Sequence, residues 1–296
     1  MRIEVSDLTI DFPGPRGLVP AVRGVSFAMG AEKLGIVGES GSGKSLTARA
    51  ILRLTPPEAV VRASRILFDD IDVMHASSRA LGAIRGKRAG LVLQDPKYAL
   101  NPVRTAGEQI AEPLRLHKRL SRRQAARAAV ELLAQVLIRD PARIAARYPH
   151  ELSGGMGQRV MIAMMLAADP ELLIADEPTS ALDATVQAEI LRLIEDLVSR
   201  RGMGLILISH DLPLVARFCE RILVMYAGRV VEAIRAADLA RSRHPYTQGL
   251  LACLPSLNRP RARLPVLARD PQWTDPQWVD PQWTDPQSTD PGQAIG

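Results

Sequence analysis

Two shortages in the sequence exclude whole classes of protein. Only two cysteines, Cys219 and Cys253, occur in the 296 residues, and their positions are unrelated, so neither a disulfide framework nor a cysteine-ligated metal cluster is expected. The longest apolar runs, at residues 161–168 and 205–208, are far shorter than the roughly 18 to 20 residues that cross a bilayer. The first residues also lack the basic and then apolar pattern of a secretory signal. We therefore expect a cytoplasmic chain.

Positive charge exceeds negative charge before residue 270. The formal net charge is +6, but residues 270–296 contain five Asp and no Lys or Arg, so residues 1–269 carry +11. An excess of this size suits nucleic acid, an anionic membrane face or simply a basic soluble protein. Six of the basic residues lie within 115–127, in a predicted helix, where a solvated face is the simpler interpretation. Charge alone does not decide function.

Short apolar segments alternate with helical segments along most of the chain. Two strand-like segments, 3–12 and 21–28, flank a Pro/Gly-rich turn at 13–20. Further strands and helices follow in alternation, with strands at 33–37, 172–176 and 204–209 and helices at about 44–54, 185–200 and 212–219. This pattern predicts an α/β fold with a largely parallel sheet. A polar, Arg-rich and mostly helical block at about 96–168 is expected to be a subdomain inserted into it.

The C-terminal residues form a tandem repeat of five residues. Asp-Pro-Gln-Trp occurs at 270–273, 275–278 and 280–283, followed by Asp-Pro-Gln-Ser at 285–288, and all three tryptophans of the chain lie in these units. Proline in every fifth position prevents a continuous helix and disrupts strand ladders. The period is also too short for a solenoid. We expect residues 263–296 to be a disordered tail with exposed tryptophans, with a short partner-binding peptide as the alternative.

A phosphate-binding loop follows the strand at 33–37. The residues from Gly38 to Ser45 fit the pattern G-x-x-x-x-G-K-[ST], between a predicted strand and a predicted helix. Backbone N–H groups of such a loop cradle phosphates, and the helix dipole favours the same anion. Lys44 is expected to reach the β- and γ-phosphates, and the Ser45 hydroxyl to ligate Mg²⁺. The predicted nucleotide-binding residues here are Gly38, Ser40, Gly41, Ser42, Gly43, Lys44, Ser45 and Leu46.

An acidic pair ends the strand at 172–176. Asp176 follows four apolar residues and projects from the edge where α/β sheets bind ligands. It is predicted to hold Mg²⁺, and the adjacent Glu177 to act on the attacking water as a general base. In isolation the pair would be an ordinary solvated turn. Together with the phosphate-binding loop it predicts nucleotide hydrolysis.

A third motif resembles the ABC transporter ATPases. Residues 152–158 read L-S-G-G-M-G-Q, close to the family signature L-S-G-G-x-x-Q, although such a motif alone could be a helix N-cap. Serine and glycines before a helix offer a hydroxyl and N–H groups to a phosphate. The resemblance covers about residues 1–255 and implies that Ser153 and Gly155 bind the nucleotide held by the opposite subunit.

Further positions match the family in the expected order. The resemblance implies that Gln94 senses Mg²⁺ and nucleotide, that Asp183 belongs to a loop crossing the dimer interface, and that His210 contacts the γ-phosphate. It assigns Gln94 and His210 to catalysis and Gln94 also to the metal site. Phe12 is the candidate for stacking on adenine, with a plain core role equally open.

Several segments resemble the peptide/nickel import branch of this family. They lie at residues 34–45, 93–96, 99–102, 148–156, 161–164 and 244–255, the last reading H-P-Y-T-Q-G-L-L-A-C-L-P. Two features depart from that branch. Gly157 stands where a basic residue is common, which is expected to weaken signalling to the partner site. The Trp repeats replace the cysteine-bearing extension of many peptide-permease ATPases, so an iron–sulfur site is not expected.

The resemblance implies a motor for a membrane importer. It predicts an ATPase domain at 1–240, a permease-type segment at 241–262, and ATP with Mg²⁺ as cofactors. It also implies a second ATPase subunit, identical or different, two transmembrane permease subunits reached through residues 94–102, and an extracytoplasmic solute-binding protein. The protein would lie at the cytoplasmic face of the inner membrane and would not bind nucleic acid. Short peptides are the predicted cargo. Nickel or another solute is the first alternative. An exporter is disfavoured by the H-P-Y-T segment. A soluble ABC ATPase is also disfavoured, because it would normally show two cassettes or a coiled-coil insertion.

Overall fold

Two β-sheets carry the fold in this computed structural model, which describes residues 1–253 and 270–274. Along these residues the strands are β1 (Ile3–Gly14), β2 (Gly17–Met29), β3 (Lys33–Val37), β4 (Val60–Arg62), β5 (Arg65–Phe68), β6 (Ile71–Asp72), β7 (Ala89–Val92), β8 (Leu172–Asp176), β9 (Gly204–Ser209), β10 (Arg221–Tyr226) and β11 (Arg229–Arg235). The larger sheet has the order β11-β10-β3-β9-β8-β7, parallel throughout except for the antiparallel β10–β11 pair. The smaller sheet is antiparallel, with the order β2-β1-β5-β6 and β4 beside β1.

Helices cover both faces of the larger sheet and form the inserted block. In chain order they are α1 (Lys44–Ile51), α2 (Ser78–Ile84), α3 (Pro96–Ala99), α4 (Ala106–Lys118), α5 (Arg122–Gln135), α6 (Pro141–Ala145), α7 (Gly154–Leu166), α8 (Ala184–Arg201), α9 (Leu212–Phe218) and α10 (Pro245–Ala252). Helices α3 to α7 lie between β7 and β8 and form the predicted helical subdomain. No helix in residues 1–253 and 270–274 combines the length and the hydropathy needed to cross a membrane.

The central strands are buried on both faces, which explains their continuous apolar sequences. Every residue of β8 and of β9 is buried. Successive side chains alternate between two cores, as the period of a strand requires. Ile174 and Ile206 pack with α1 and the smaller sheet, whereas Leu173 and Leu205 pack with the helices on the other face. Parallel sheets covered on both sides have this composition. The strands predicted at 33–37, 172–176 and 204–209 are therefore confirmed.

Local capping explains where the long helices of the inserted block begin. The Thr105 hydroxyl accepts a hydrogen bond from the N–H of Glu108, and the Glu108 carboxylate accepts one from the N–H of Thr105. Ser121 and Gln124 form the same reciprocal pair at the start of α5. Each pair satisfies two N–H groups that a helix start would otherwise leave without partners. The two helices then pack against each other and against α7.

The turn predicted at residues 13–20 is wrong in extent. Strands β1 and β2 continue through it, Pro13 pairs with Leu18, and the hairpin closes between Gly14 and Gly17. Pro20 is tolerated because β2 is an edge strand, where a missing N–H breaks no ladder on the outer side. Gly17 supplies the positive φ of +113° that the tight turn needs.

Of the tail predicted at 263–296, the structure describes only residues 270–274. Here Pro271–Thr274 is a short 3-10 helix, and Trp273 is partly buried against the core rather than exposed. The remaining residues of the predicted tail, and of the segment predicted at 241–262 those beyond Cys253, lie outside the described residues.

Candidate nucleotide site at the carboxyl edge of the large sheet

The loop between β3 and α1 requires glycine at two positions. Gly38 has φ +153°, and a Cβ there would lie 2.1 Å from the carbonyl oxygen of Met225. Gly43 has φ +95°, and a Cβ there would lie 2.8 Å from the carbonyl oxygen of Ala21. Both obstacles are backbone atoms, which cannot move aside as a side chain can. The glycines therefore allow the loop to lie directly against β10 and β2.

Lys44 lies inside this loop. Its side chain is 4% exposed, and its ammonium donates hydrogen bonds to the carbonyl oxygens of Gly38 (2.9 Å) and Glu39 (2.8 Å). Burial lowers the pKa of Lys44, and the nearby carboxylates of Glu177 and Asp176 oppose that shift. The loop thus encloses a cation, which is the charge that a phosphate group requires.

A hydroxyl without a partner lies in the same loop. Within the described residues, Ser42 Oγ is buried and has no hydrogen-bond partner. A buried polar group that remains unsatisfied costs free energy, about 1–3 kcal/mol. Ser40 and Gly41 are exposed at the tip of the loop, and Leu46 packs against the core on the side of the small sheet. The orphaned hydroxyl indicates that the loop is built to be completed by a ligand with acceptor oxygens.

Ser45 and Asp176 meet across the gap between α1 and β8. The Ser45 hydroxyl donates a 2.6 Å hydrogen bond to Asp176 Oδ1, and Asp176 is 3% exposed. They come together because the first turn of α1 and the end of β8 share one edge of the sheet. A hydroxyl and a carboxylate offer oxygen ligands, which suit a hard divalent cation.

Arg49 is a neighbour of this pair that sequence reasoning missed. Its Nη2 donates to Asp176 Oδ2 at 3.2 Å, so the carboxylate binds Ser45 with one oxygen and Arg49 with the other. Arg49 lies four residues after Ser45, on the same side of α1. That spacing places Arg49 beside Ser45, but its contact with Asp176 depends on how α1 packs against β8.

Glu177 and His210 lie side by side at the ends of β8 and β9. The distance between Glu177 Oε2 and His210 Nδ1 is 3.6 Å, and the side chain of Glu177 is 18% exposed against 63% for His210. Glu177 has φ +45°, which is uncommon for a residue other than glycine, and its N–H donates to the carbonyl of Ile208. Strained residues of this kind cluster at active sites, where the surrounding structure holds them in place.

Gln94 and Ser153 face a different space, a groove of about 480 Å³ beside α7. Its lining includes Gln94, Pro96, Ser153, Gly157 and Leu182. Within the described residues, Gln94 forms no hydrogen bond to Ser45 or Asp176. A metal site shared by Gln94, Ser45 and Asp176 stays a prediction.

Ser153 and Asp183 each cap a helix. Ser153 Oγ accepts from the N–H of Met156 at the start of α7, and Asp183 Oδ1 accepts from the N–H groups of Thr185 and Val186 at the start of α8. These are the local roles that such residues commonly have at a helix start. Both residues also stay partly or fully exposed, so the caps do not bury them.

Two glycines of the L-S-G-G-M-G-Q motif lie in close packing. A Cβ on Gly155 would come within 2.7 Å of Val186 Cγ1, and one on Gly157 within 3.2 Å of Pro96 Cγ. At Gly157 a side chain would therefore require Pro96 to shift. The close contact between α7 and α3 thus favours glycine at this position, where the import branch commonly has a basic residue.

Phe12 lies near the end of β1, opposite Val19 of β2. Its ring is partly buried and packs against the core between the two sheets. This packing agrees with the plain core role that the sequence left open. Stacking of Phe12 on adenine stays a prediction.

The C-terminal segment reaches the phosphate-binding loop, a contact that the sequence did not predict. The N–H of Glu39 donates a 3.1 Å hydrogen bond to the hydroxyl of Tyr246, which is fully buried near the start of α10. The segment containing H-P-Y-T therefore has a structural role at the loop.

Comparison with known proteins agrees with this arrangement. The pattern of the family described as ABC transporter matches residues 22–180, more than half of the chain. The chain belongs to the ABC transporter family. Its motifs from the phosphate-binding loop to the acidic pair fall within the matched range, and it is an ATP-binding ATPase of that family. The predicted P-loop fold of an ABC ATPase, with an antiparallel subdomain and an inserted helical subdomain, is confirmed.

Individual relatives are similar over most of the chain. A probable peptide ABC transporter ATP-binding protein of Sinorhizobium fredii is 49% identical over 90% of this chain and 80% of its own length. The oligopeptide transport ATP-binding protein of Bacillus subtilis is 48% identical, over 86% and 72% respectively. Among solved structures, the dimeric ATP-binding cassette MJ0796 in a post-hydrolysis state with ADP and Pi is 29% identical, with a TM-score of 0.71, over 79% of this chain and 98% of that one.

Proposed function

We propose that this ABC family member is the ATP-hydrolysing subunit of an importer for short peptides. The observation that supports the cargo most strongly is the 44–49% identity, over 86–90% of the chain, to proteins named for peptide, oligopeptide and D,D-dipeptide transport. These matches extend past the ATPase motifs to the C-terminal segment that contains H-P-Y-T. Nickel or another small solute is the second candidate, because the sequence pattern of that segment is shared within the import branch.

The phosphate-binding loop supplies the nucleotide site in this proposal. The backbone N–H groups from Gly38 to Leu46 surround the phosphates, and the orphaned Ser42 hydroxyl completes the donor set. Lys44 exchanges its two carbonyl partners for the β- and γ-phosphate oxygens. Because its ammonium already points into the loop, this exchange needs little movement of the backbone. Phe12 is kept as the proposed contact to the base.

Ser45 and Asp176 are the proposed ligands of Mg²⁺. Their oxygens lie 2.6 Å apart at a buried edge, which is the donor chemistry that Mg²⁺ selects. Within residues 1–253 and 270–274, no group of three or more His, Cys, Asp or Glu side chains could hold a metal ion, so phosphate and water oxygens would complete the shell. Such an ion neutralises charge on the transferred phosphoryl group. Gln94 is kept as a further proposed ligand.

Glu177 and His210 divide the proposed work of hydrolysis. Glu177 accepts the proton of the attacking water, and its carboxylate lies near enough to the phosphate-binding loop to act on the pKa of Lys44. His210 extends from the end of β9, 3.6 Å from the Glu177 carboxylate, where it can contact the γ-phosphate. The hydrogen bond from the Glu177 N–H to the Ile208 carbonyl helps to hold this strained backbone, and with it the carboxylate, in that place.

A second ATPase subunit completes the site in the proposal. Ser153 lines a groove whose lining includes neither Ser45 nor Asp176, and the similar cassette MJ0796 is dimeric. Each subunit would present its Ser153 loop to the nucleotide of the other, and the second subunit is either a copy or a different ATPase. In the proposed assembly, two permease subunits dock near residues 94–102, and a solute-binding protein lies outside the membrane. The ATPase itself lies at the cytoplasmic face of the membrane and binds no nucleic acid. The proposed ATPase domain is 1–240, with the helical block at about 96–168.

Uptake measurements test the proposal directly. Cells lacking this chain are given labelled di- and tripeptides, and uptake is restored with the wild type, Lys44→Ala or Lys87→Ala. Lys87 is exposed and forms no hydrogen bond within the described residues, so it is the matched control. Loss of uptake that the wild type and Lys87→Ala restore, but Lys44→Ala does not, supports the proposal. Unchanged peptide uptake together with lost nickel uptake would assign the second candidate instead.

A further inference from the structure

A unit of the C-terminal repeat is docked on an aromatic surface next to the phosphate-binding loop. The Trp273 ring lies 5.5 Å from the ring of Tyr226 in an edge-to-face arrangement and 5.7 Å from the ring of Tyr246. The two tyrosine rings are themselves 4.7 Å apart. Aromatic pairs at these distances attract each other beyond the area that they bury. The indole is thus held by a pair of rings that lie together beneath it.

His244 holds the backbone of the same unit. Its Nε2 donates to the carbonyl oxygen of Trp273 at 3.1 Å, and its Nδ1 accepts from the N–H of Tyr246 at 3.2 Å. Together the two contacts require the neutral tautomer with the proton on Nε2. Burial lowers the pKa of His244, which favours this neutral form. The ring and the backbone of the unit are therefore both bound by one group of side chains, those of Tyr226, Tyr246 and His244. We call this group the aromatic site.

The docked unit organises its own conformation. The Asp270 carboxylate accepts from the N–H of Gln272 at 2.8 Å, and the Asp270 carbonyl accepts from the N–H of Trp273 at 3.2 Å. An Asp followed by a Pro favours such a turn, because the carboxylate binds the backbone two residues on and the proline ring fixes φ. Every group used belongs to the four residues Asp-Pro-Gln-Trp. The conformation is therefore encoded in the unit itself.

The sequence offers the same unit three times. Asp-Pro-Gln-Trp at 270–273 recurs at 275–278 and at 280–283. A fourth unit, at 285–288, keeps Asp-Pro-Gln but has Ser288 in place of the tryptophan. The chain therefore contains three complete ligands for the aromatic site and one that lacks the ring.

We propose that the aromatic site is a binding site for an Asp-Pro-Gln-Trp unit and that each of the three units of the same chain can fill it. A later unit is joined to Cys253 by only five or ten additional residues. Loop-closure entropy grows slowly with length, so this lowers the effective concentration of the last unit by only about twofold. One unit can replace another at the same site, so the tail stays bound while the unit that is bound changes.

The location of the aromatic site connects it to the nucleotide. Tyr246 contacts Trp273 with its ring and accepts a hydrogen bond from the N–H of Glu39 with its hydroxyl. Docking of a unit therefore stabilises a residue that supports the phosphate-binding loop. This inference does not depend on the cargo of the importer.

Tryptophan fluorescence can follow docking without interference, because all three tryptophans lie in the repeat units. Three variants of the full chain each keep one tryptophan and carry Ser at the other two positions, as the fourth unit does naturally. With Trp278→Ser and Trp283→Ser, the remaining Trp273 is the reference. We expect Trp278 alone and Trp283 alone to show the same blue-shifted emission and the same protection from acrylamide, within about twofold in quenching constant. Emission typical of the denatured chain for both would overturn the exchange of units.

Two further measurements test the site itself. Protection that is independent of protein concentration supports docking within one chain, whereas protection that appears only at high concentration would overturn it. In the second, the variant with Trp273→Ser, Trp278→Ser and Trp283→Ser, folded as judged by circular dichroism, is mixed with a dye-labelled Asp-Pro-Gln-Trp-Thr peptide. Saturable binding, displaced by the unlabelled peptide but not by Asp-Pro-Gln-Ser-Thr, supports the aromatic site. No binding to this folded chain would overturn it, and since no residue of the aromatic site is changed, misfolding of the site cannot explain such a result.

Discussion

Glu39 and Tyr246 are 207 residues apart in the chain and are joined by a 3.1 Å hydrogen bond. Glu39 is the second residue of the phosphate-binding loop, and Tyr246 lies in the segment whose sequence marks the import branch. The ring of Tyr246 is fully buried between that loop and Trp273. The C-terminal segment is thus a structural support of the candidate nucleotide site.

Tyr246→Phe tests this support. The change keeps the ring but removes the acceptor of the Glu39 N–H, and we expect it to lower the free energy of unfolding by about 1–2 kcal/mol. ATP affinity should also fall, because the loop loses one of its fixed points. Urea unfolding and nucleotide titration measure the two effects. Tyr98→Phe is the control, since Tyr98 is 87% exposed, and equal behaviour of the two variants would contradict the role of the hydroxyl.

Gly38→Ala tests why the loop begins with glycine. A Cβ at this position would lie 2.1 Å from the backbone carbonyl oxygen of Met225, at φ +153°. Overpacking against atoms that cannot yield costs about 1–3 kcal/mol or more, so a drop of several degrees in Tm is expected. Gly30→Ala is the control, because no atom lies within 4 Å of its Cβ position. An unchanged Tm for Gly38→Ala would mean that β10 and the loop are not in contact.

Arg49→Ala tests the pairing of Arg49 with Asp176. The carboxylate is buried, but Arg49 is 36% exposed, so solvent screens the pair and the expected loss of stability is about 1 kcal/mol. Arg200→Ala removes a pair with Asp196 in which both side chains are well exposed, and its effect should be close to zero. Urea unfolding without nucleotide compares them. A loss as small as that of Arg200→Ala would show that Arg49 does not hold Asp176.

The stability of the chain should depend on pH through His244. Burial lowers the pKa of His244 below its usual value of 6.5, while Glu232 and the Trp273 carbonyl act in the opposite direction. Since the unfolded chain takes up the proton first as the pH falls, the stabilising contribution is complete above about pH 6.5 and is lost as the pH falls through the lowered pKa. The advantage of the wild type over His244→Asn in urea unfolding should therefore shrink below pH 6.5. The pKa of His117 is also lowered, but that histidine is present in both chains and cancels in the difference. An advantage that grows on acidification would contradict the assigned direction.

Elements in the buried centre of the fold could be predicted from the sequence. The bounds of strands β3, β8 and β9 follow from the sequence, because a strand buried on both faces is apolar along most of its length. Strands at the edge are less constrained. Residues 13–20 contain three prolines that suggest a turn, yet β1 and β2 continue through them, because β2 is an edge strand and the pairing of β1 with β4 ends at Asp11.

The residues of the candidate site could be named from motif spacing, but their partners could not. The motif patterns indicate that Lys44, Ser45 and Asp176 belong to one site, because each motif directly follows a predicted strand. The contacts of Arg49 with Asp176 and of Tyr246 with Glu39 depend on how distant segments pack. Likewise, a repeat rich in proline predicts a disordered tail, and only the aromatic surface of the fold shows why Trp273 is docked.

The most direct test of the account compares ATP binding and ATP hydrolysis in Glu177→Gln. The substitution removes the proposed base and leaves the phosphate-binding loop intact, so we predict ATP affinity close to that of the wild type and hydrolysis slower by about 10²-fold or more. Glu58→Gln is the control, because Glu58 is exposed and distant in sequence from every motif, and it should hydrolyse ATP at the wild-type rate. Wild-type hydrolysis by Glu177→Gln would contradict the assignment of this carboxylate and, with it, the proposed chemistry of the site.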